Sequence, residues 1–305
     1  MRQIIGIGET VLDIIFKNGQ PQAAKAGGSM LNSVVSMGRV GLPVSFISEY
    51  AQDDVGDLVD NFLLENGVDT SSVHRFRNGK TSLALAFLDE KNDARYTFYK
   101  DYPSNRLDIT LPETRQNDII LCGSFYALWP EIRDKFMQFV SGAKANGALV
   151  IYDPNFREAH LPELERSRPL IVENMQMADI VRGSNEDFRN IFGAGTVEEA
   201  YAAVKPYCSK LVYTANTEGV YVRTASFIGR FPVKKIEPLS TIGAGDNFNA
   251  GMITSIFRQV LAKADLDRAG EKEWGHITET AVQFASHVCM SYDNYISADF
   301  AAGFR

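Results

Sequence analysis

The chain has 305 residues, 45% hydrophobic and 23% charged, the balance of a globular protein with one large α/β domain or two modest ones. Its 31 basic and 38 acidic residues give a net charge of −7, which argues against nucleic acid as the main partner, since phosphate-backbone binding is driven by clustered Lys and Arg. Cys122, Cys208 and Cys289 are widely spaced with no CxxC pair, the N-terminal run MRQIIGIGETVLDIIF is broken by Glu9 and Asp13, and no apolar run reaches the roughly 18 residues of a membrane span, so a cytoplasmic protein with buried thiols is expected.

In chain order, residues 3–8 read as a buried strand ending in glycine, and 11–16 (VLDIIF) continue extended with Asp13 inside an apolar run. A turn follows at 17–21. Residues 29–40 read as a helix with Ser29 as its N-cap, 44–48 as a strand and 54–66 as a second helix. The texture then changes. Thr81–Leu88 and Ala94–Lys100 read as strands joined by a polar loop at 89–93, with no helix between them. Thereafter strands at 118–122, 148–152, 179–182 and 210–214 alternate with helices at 131–146, 163–177, 185–192 and 197–206. That alternation implies a mostly parallel sheet covered on both faces. A second hairpin is expected over 219–233, and helices at about 244–260 and 272–290 close the chain. The expectation is one α/β core, with a small β-element drawn from about 11–25 and 73–102 projecting beside the carboxyl edge as a lid that excludes water.

Residues 240–251 read Ser-Thr-Ile-Gly-Ala-Gly-Asp-Asn-Phe-Asn-Ala-Gly. A Gly243-Ala244-Gly245 turn lets backbone N–H groups converge, and a helix starting there adds the positive end of its dipole, which makes an anion site. Asp246 sits beside it, where a carboxylate can take a proton from a hydroxyl. An anion hole next to a fixed base is what phosphoryl transfer to an alcohol requires. The competing reading is a tight helix–sheet contact with Asp246 as a cap.

Three further clusters follow predicted strands or open helices. Gly27-Gly28 permit close approach of a ligand, with Asn32 one turn into the helix; a glycine turn with a polar helix face explains them equally well. Asp153-Pro154-Asn155-Phe156-Arg157 gathers polar groups at the carboxyl end of a strand, where a surface turn is the alternative. In Gly183-Ser184-Asn185-Glu186-Asp187, helix capping competes with a place near nucleotide and Mg²⁺. Gly6-x-Gly8 lacks the third glycine of a dinucleotide fingerprint and is followed by Glu9, which argues against hydride transfer, and the four histidines have no metal spacing.

Together these residues resemble the PfkB, or ribokinase-like, family of carbohydrate kinases over essentially the whole chain. The carboxy-terminal signature is matched from Ser240 to Gly251 and the amino-terminal glycine signature from Ala26 through Asn32 to Gly41. The resemblance implies a three-layer α/β/α core with a β-sheet lid, ATP as donor, Mg²⁺, a sugar or nucleoside as acceptor, and a homodimer formed through the lid. By position it makes Asp246 the catalytic base and the N–H groups of Gly243, Ala244, Gly245 and Asp246 the phosphoryl-binding hole. It places Asp13, Gly27, Gly28, Asn32, Asn155 and Arg157 on the sugar. It places Asn185, Thr214 and Gly219 on the nucleotide, with Glu186 or Asp187 near the metal. The chain departs from the pattern at Phe188, where the glutamate of Asn-x-x-Glu would fall, at Asn216 and at Ser240. The spelling favours fructose, then a 2-keto-3-deoxy sugar acid such as 2-keto-3-deoxygluconate, then a nucleoside; Arg157 or Arg106 near the pocket would favour an acid. A sugar- or nucleotide-binding protein without catalysis is the alternative of a different class.

Overall fold

Short apolar runs bounded by Gly, Pro and Asn set the strands, and longer stretches of helical period set the layers that cover them. The computed structural model describes residues 2–90 and 94–304. Strand β1 (Ile4–Ile7) is followed by β2 (Val11–Lys17), β3 (Gln20–Gly27) and helix α1 (Ser29–Arg39). Then come β4 (Val44–Ala51), α2 (Asp54–Glu65), β5 (Val68–Asp69), β6 (Val73–Phe76), β7 (Lys80–Leu88) and β8 (Ala94–Asp101). The alternating half runs β9 (Ile119–Gly123), α3 (Pro130–Ala145), β10 (Leu149–Asp153), α4 (Leu164–Met177), β11 (Ile180–Ser184), α5 (Asn185–Phe192), α6 (Val197–Val204) and β12 (Leu211–Thr214). The chain closes with β13 (Val220–Arg223), β14 (Ile228–Phe231), α7 (Ala244–Arg258), α8 (Lys263–Arg268), α9 (Glu271–Cys289) and α10 (Ala298–Ala302).

The main sheet has the order β14-β13-β12-β11-β10-β9-β1-β4-β5, with β6 also paired to β4. From β12 to β5 all pairs are parallel, and the β12–β13–β14 end is antiparallel. The period-two alternation of side chains divides the core. Ile4, Ile151, Ile180 and Val212 pack with α1, α7 and α9. Ile5, Val150, Val181 and Leu211 pack with α3, α4, α5 and α6. Three layers result, as expected from alternating strands and helices.

A separate four-stranded sheet, β3-β2-β7-β8, packs beside the main sheet, with Leu12 and Ala26 joining the core. Its β7–β8 hairpin matches the expected one, although residues 91–93 of the loop predicted at 89–93 lie outside the described residues. The expected boundary at 73 is corrected. Val73–Phe76 joins β4 in the main sheet, because Val73 and Phe76 bury against the core. The small sheet takes only 11–27 and 80–101. Two ion pairs tie it down: Lys25 to Asp293 at 2.7 Å and Lys100 to Glu9 at 2.6 Å. Nearby, Arg106 is buried and held by Glu49, which also takes the Leu107 amide at 3.0 Å and the Tyr126 hydroxyl at 3.2 Å. The Arg106 charge is thereby consumed within the scaffold.

Candidate active site

Helix α7 begins at the carboxyl edge of the sheet. Gly243 caps it at φ 77°, a left-handed conformation that glycine adopts without cost. The Ala244 amide donates back to the Thr241 carbonyl at 3.2 Å, and the first helical bond runs from the Asn247 amide to Gly243 at 2.9 Å. The amides of Gly245 and Asp246 precede that bond and have no acceptor within the helix. Ala244 thereby leaves the expected donor cluster, and the helix dipole stands behind the Gly245 and Asp246 amides.

Asp246 is 6% exposed. Ser29 Oγ donates to its Oδ1 at 2.5 Å and Asn32 Nδ2 donates to its Oδ2 at 2.8 Å. Burial pushes this carboxyl above the usual aspartate range, opposed by the Ser29 and Asn32 bonds and by the positive charge of Arg157. Ser29 was expected to cap α1. Gly28 occupies that position instead, and the Ser29 hydroxyl is turned onto Asp246.

Asp246 does not vanish into the core. It borders a cavity of about 580 Å³ that is also lined by Asn155, Arg157, Glu186, Thr214, Gly219, Gly243, Ala244 and Gly245. Val233, Ile236, Val282 and Ala285 give the cavity an apolar part. Asn185 is absent from this lining, whereas Ser184 and Asp187 belong to it. The reason is capping chemistry. Ser184 is the N-cap of α5 and accepts from the Asp187 amide, while Asp187 Oδ2 takes the Ser184 amide and hydroxyl, each at 2.6 Å. Asn185 thus begins the helix one residue beyond the cavity wall. Asp187 Oδ1 takes the Phe156 amide at 2.5 Å, so both its oxygens are engaged. Burial, then the neighbouring Asp153 charge, raise its carboxyl. Phe188 is fully buried and stacks on Tyr213, so the fourth position counted from Asn185 faces the core. Counted from Ser184, the fourth position is Asp187, an acid that lines the cavity along with Glu186.

Sequence reasoning missed Arg182. In the period-two pattern it follows Ile180 on the α7 side of the sheet. Its Nη1 donates to Asp153 Oδ2 at 2.8 Å and its Nη2 to Thr214 Oγ1 at 3.1 Å, across the two flanking strands. Asp153 Oδ2 also takes Asn249 Nδ2 at 2.6 Å. The guanidinium lies 5.0 Å from the Phe248 ring centre, on the first turns of α7. An arginine inside a buried parallel strand, where an apolar run is the rule, was the available signal.

Asp13, Gly27, Gly28 and Asn32 are absent from the cavity lining; Gly27 and Gly28 immediately precede Ser29, whose hydroxyl reaches Asp246. Asp13 is on β2, paired with Lys25 near the end of β3. A Cβ on Gly27 would come within 2.2 Å of Asp13 Oδ2, so any larger residue there would displace the Asp13 carboxyl. Burial, then Glu9, push the Asp13 carboxyl up to about 7. Because β3 runs straight into α1, the segment that positions Gly27 and Gly28 also delivers Ser29 and Asn32 to Asp246.

A family model, the pfkB family carbohydrate kinase, matches residues 1–291. The chain belongs to the PfkB family. Within it, the chain is 25% identical over 281 residues to Fructokinase-1 of Oryza sativa subsp. japonica, covering 88% of this chain and 87% of the relative. It is 26% identical over 276 residues to Fructokinase-1 of Zea mays, covering 86% and 85%. Its fold matches the crystal structure of fructokinase from Vibrio cholerae O395 in a fructose-, ADP- and calcium-bound form, with a TM-score of 0.85 at 21% identity over 100% of this chain and 99% of that one. It also matches the aminoimidazole riboside kinase of Salmonella enterica complexed with aminoimidazole riboside and an ATP analogue, with a TM-score of 0.83 at 19% identity over 99% of each chain. The ribokinase-like fold and a sugar phosphotransferase activity follow for this PfkB protein.

Proposed function

We propose that this PfkB kinase phosphorylates fructose, using ATP, with Asp246 as the group that deprotonates the attacking hydroxyl. One observation carries the reading: a single carboxylate is bonded to Ser29 and Asn32 of α1, directly after β3 of the small sheet, and set in the first turn of α7 at the cavity. Asp13, Gly27, Gly28 and Asn32 hold the sugar, with Asn155 and Arg157 closing over it from the loop after β10. The Gly245 and Asp246 amides stabilise charge on the transferring phosphoryl group, Gly243 and Ala244 shape the turn that presents them, and positioning plus this charge stabilisation do most of the work. Thr214, Gly219 and the apolar part of the cavity receive the nucleotide; Asn185 supports the helix start from outside it.

Among the described residues no three His, Cys, Asp or Glu side chains cluster as a metal site. That fits Mg²⁺, which keeps most of its waters and is held by one or two carboxylates and the phosphates. Glu186, exposed on the cavity wall, is the acid to hold it, since Asp187 is engaged at both oxygens. When bound, the ion neutralises phosphate charge.

Fructose is favoured by the likeness to the fructokinases; Arg157, which borders the cavity, is the observation that favours a sugar acid instead, whereas Arg106 is locked by Glu49. The small sheet acts as the lid. Phe98 and Tyr99 on β8, 56% and 57% exposed, support a homodimer through that sheet. Three free, buried cysteines support a cytoplasmic setting, and no helix among the described residues is long and apolar enough to cross a membrane. ADP formation measured against fructose, other sugars, 2-keto-3-deoxygluconate and nucleosides tests the reading. The highest kcat/KM is expected with fructose; a preference for the acid or a nucleoside reassigns the substrate, and stabilisation by a sugar without turnover would mark a binding protein.

The Asp13 carboxyl, raised to about 7, sets a pH dependence. As a carboxylate it accepts hydroxyl protons from the sugar; once protonated it loses that capacity. KM for the sugar should rise severalfold between roughly pH 8 and roughly pH 6, with the weakening on the acid side. In Asp13→Asn, KM should be high and independent of pH over that range. A wild-type KM that is flat across it would remove Asp13 from the acceptor site.

A further inference from the structure

The Arg182 guanidinium is held on three sides and left unsatisfied on the fourth. Of its five N–H donors, two are used, by Asp153 Oδ2 and Thr214 Oγ1. Nε is buried without a partner, and one hydrogen remains on each terminal nitrogen. The group borders the cavity, and its Nη1 lies 2.8 Å from where a Cβ on Gly245 would stand. It therefore packs directly against the main chain of the first turn of α7, beside the amides of Gly245 and Asp246.

Its counter-charge is divided. Asp153 gives Oδ2 to both Arg182 and Asn249, and gives Oδ1 to the Asn155 amide. A side chain 6% exposed and clamped between β10, β12 and α7 has lost its rotamer freedom before any ligand arrives. A buried cation with donors to spare is costly unless an anion completes it. The free α7 amides beside it select the same kind of partner.

We propose that Arg182 is a preset phosphate contact. Its spare N–H groups bind the terminal phosphate of the nucleotide alongside the Gly245 and Asp246 amides, so that cation and helix terminus share one anionic group. This rests on the kinase reading of the cavity. Asp153 and Thr214 are then positioning residues that aim the fork, and the planar guanidinium suits the task better than an ammonium, because it can bond its two supports and a phosphate oxygen together.

Calorimetric titration of the sugar-free protein with AMP-PNP and, separately, with adenosine tests this. In Arg182→Gln, AMP-PNP binding should weaken about 10- to 100-fold, with adenosine binding within about twofold of wild type. Arg182→Lys keeps a charge against Asp153 and should fold even if Arg182→Gln does not; it should show a smaller loss for AMP-PNP, about 3- to 10-fold, and none for adenosine. In turnover, KM for ATP should rise and kcat fall, with KM for the sugar unchanged. A role limited to bracing the strands would leave the ratio of the two affinities at its wild-type value in any folded variant, and that result would overturn the proposal while leaving the kinase reading intact. Wild-type protein that binds neither ligand would overturn both.

Discussion

Asp246→Asn is expected to fold as well as wild type and to lose about 10²–10⁴ in kcat, the usual worth of a positioned general base. Local chemistry makes the variant tolerable. Asn32 Oδ1 is buried without a partner, so an amide flip lets Asn32 accept from the new NH₂ group, and the Ser29 hydroxyl can turn to suit either role. Stability should not fall. Burial raises the folded carboxyl above its unfolded value, so its ionised form penalises the native state at neutral pH and above. Removing the charge relieves that penalty at roughly pH 8, and the advantage should shrink as the pH falls to about 4 and disappear below it, where both states become protonated. Melting curves at the two pH values and steady-state kinetics check both halves. Near-wild-type kcat in a folded variant would remove Asp246 from the chemistry.

Gly243→Ala should damage fold and turnover together. Gly243 sits at φ 77°, and an added Cβ would meet the Asn294 carbonyl at 2.8 Å. That carbonyl is fixed, because it also accepts Asn247 Nδ2 at 2.8 Å. The turn must shift, at about 1–3 kcal/mol for the strained backbone. The Gly245 and Asp246 amides shift with it, and loss of one preorganised donor typically costs about 10²–10³ in kcat. The sugar KM should change little, since Asp13 and Gly27 do not line the cavity that the turn borders. Denaturant melts and initial rates measure the two effects; kcat within threefold of wild type would show that the turn does not carry the anion hole.

The glycine-rich turn and its aspartate were legible in the sequence because small residues in that order serve one purpose. The alternating half of the fold was legible for a similar reason, since apolar strands and amphipathic helices have different periods. What escaped depended on partners distant in the chain. Val73-His74-Arg75-Phe76 gives no sign of which sheet will receive it; its pairing with β4 decides that. Ser29 has the chemistry of a cap, and only the arrival of α7 turns its hydroxyl to Asp246. Ser184 and Asn185 are both capable caps, and the reciprocal bond with Asp187 selects Ser184 and rotates Asn185 off the cavity. Arg182 reads as the polar end of a strand until Asp153 and Thr214 appear on either side of it.

A crystal structure of the protein with fructose and AMP-PNP bound together addresses the central claim most directly. The account predicts the attacking sugar hydroxyl within hydrogen-bonding distance of an Asp246 carboxylate oxygen, and the terminal phosphate against the Gly245 and Asp246 amides. A sugar seated away from Asp246, or a terminal phosphate held elsewhere in the cavity, would contradict it.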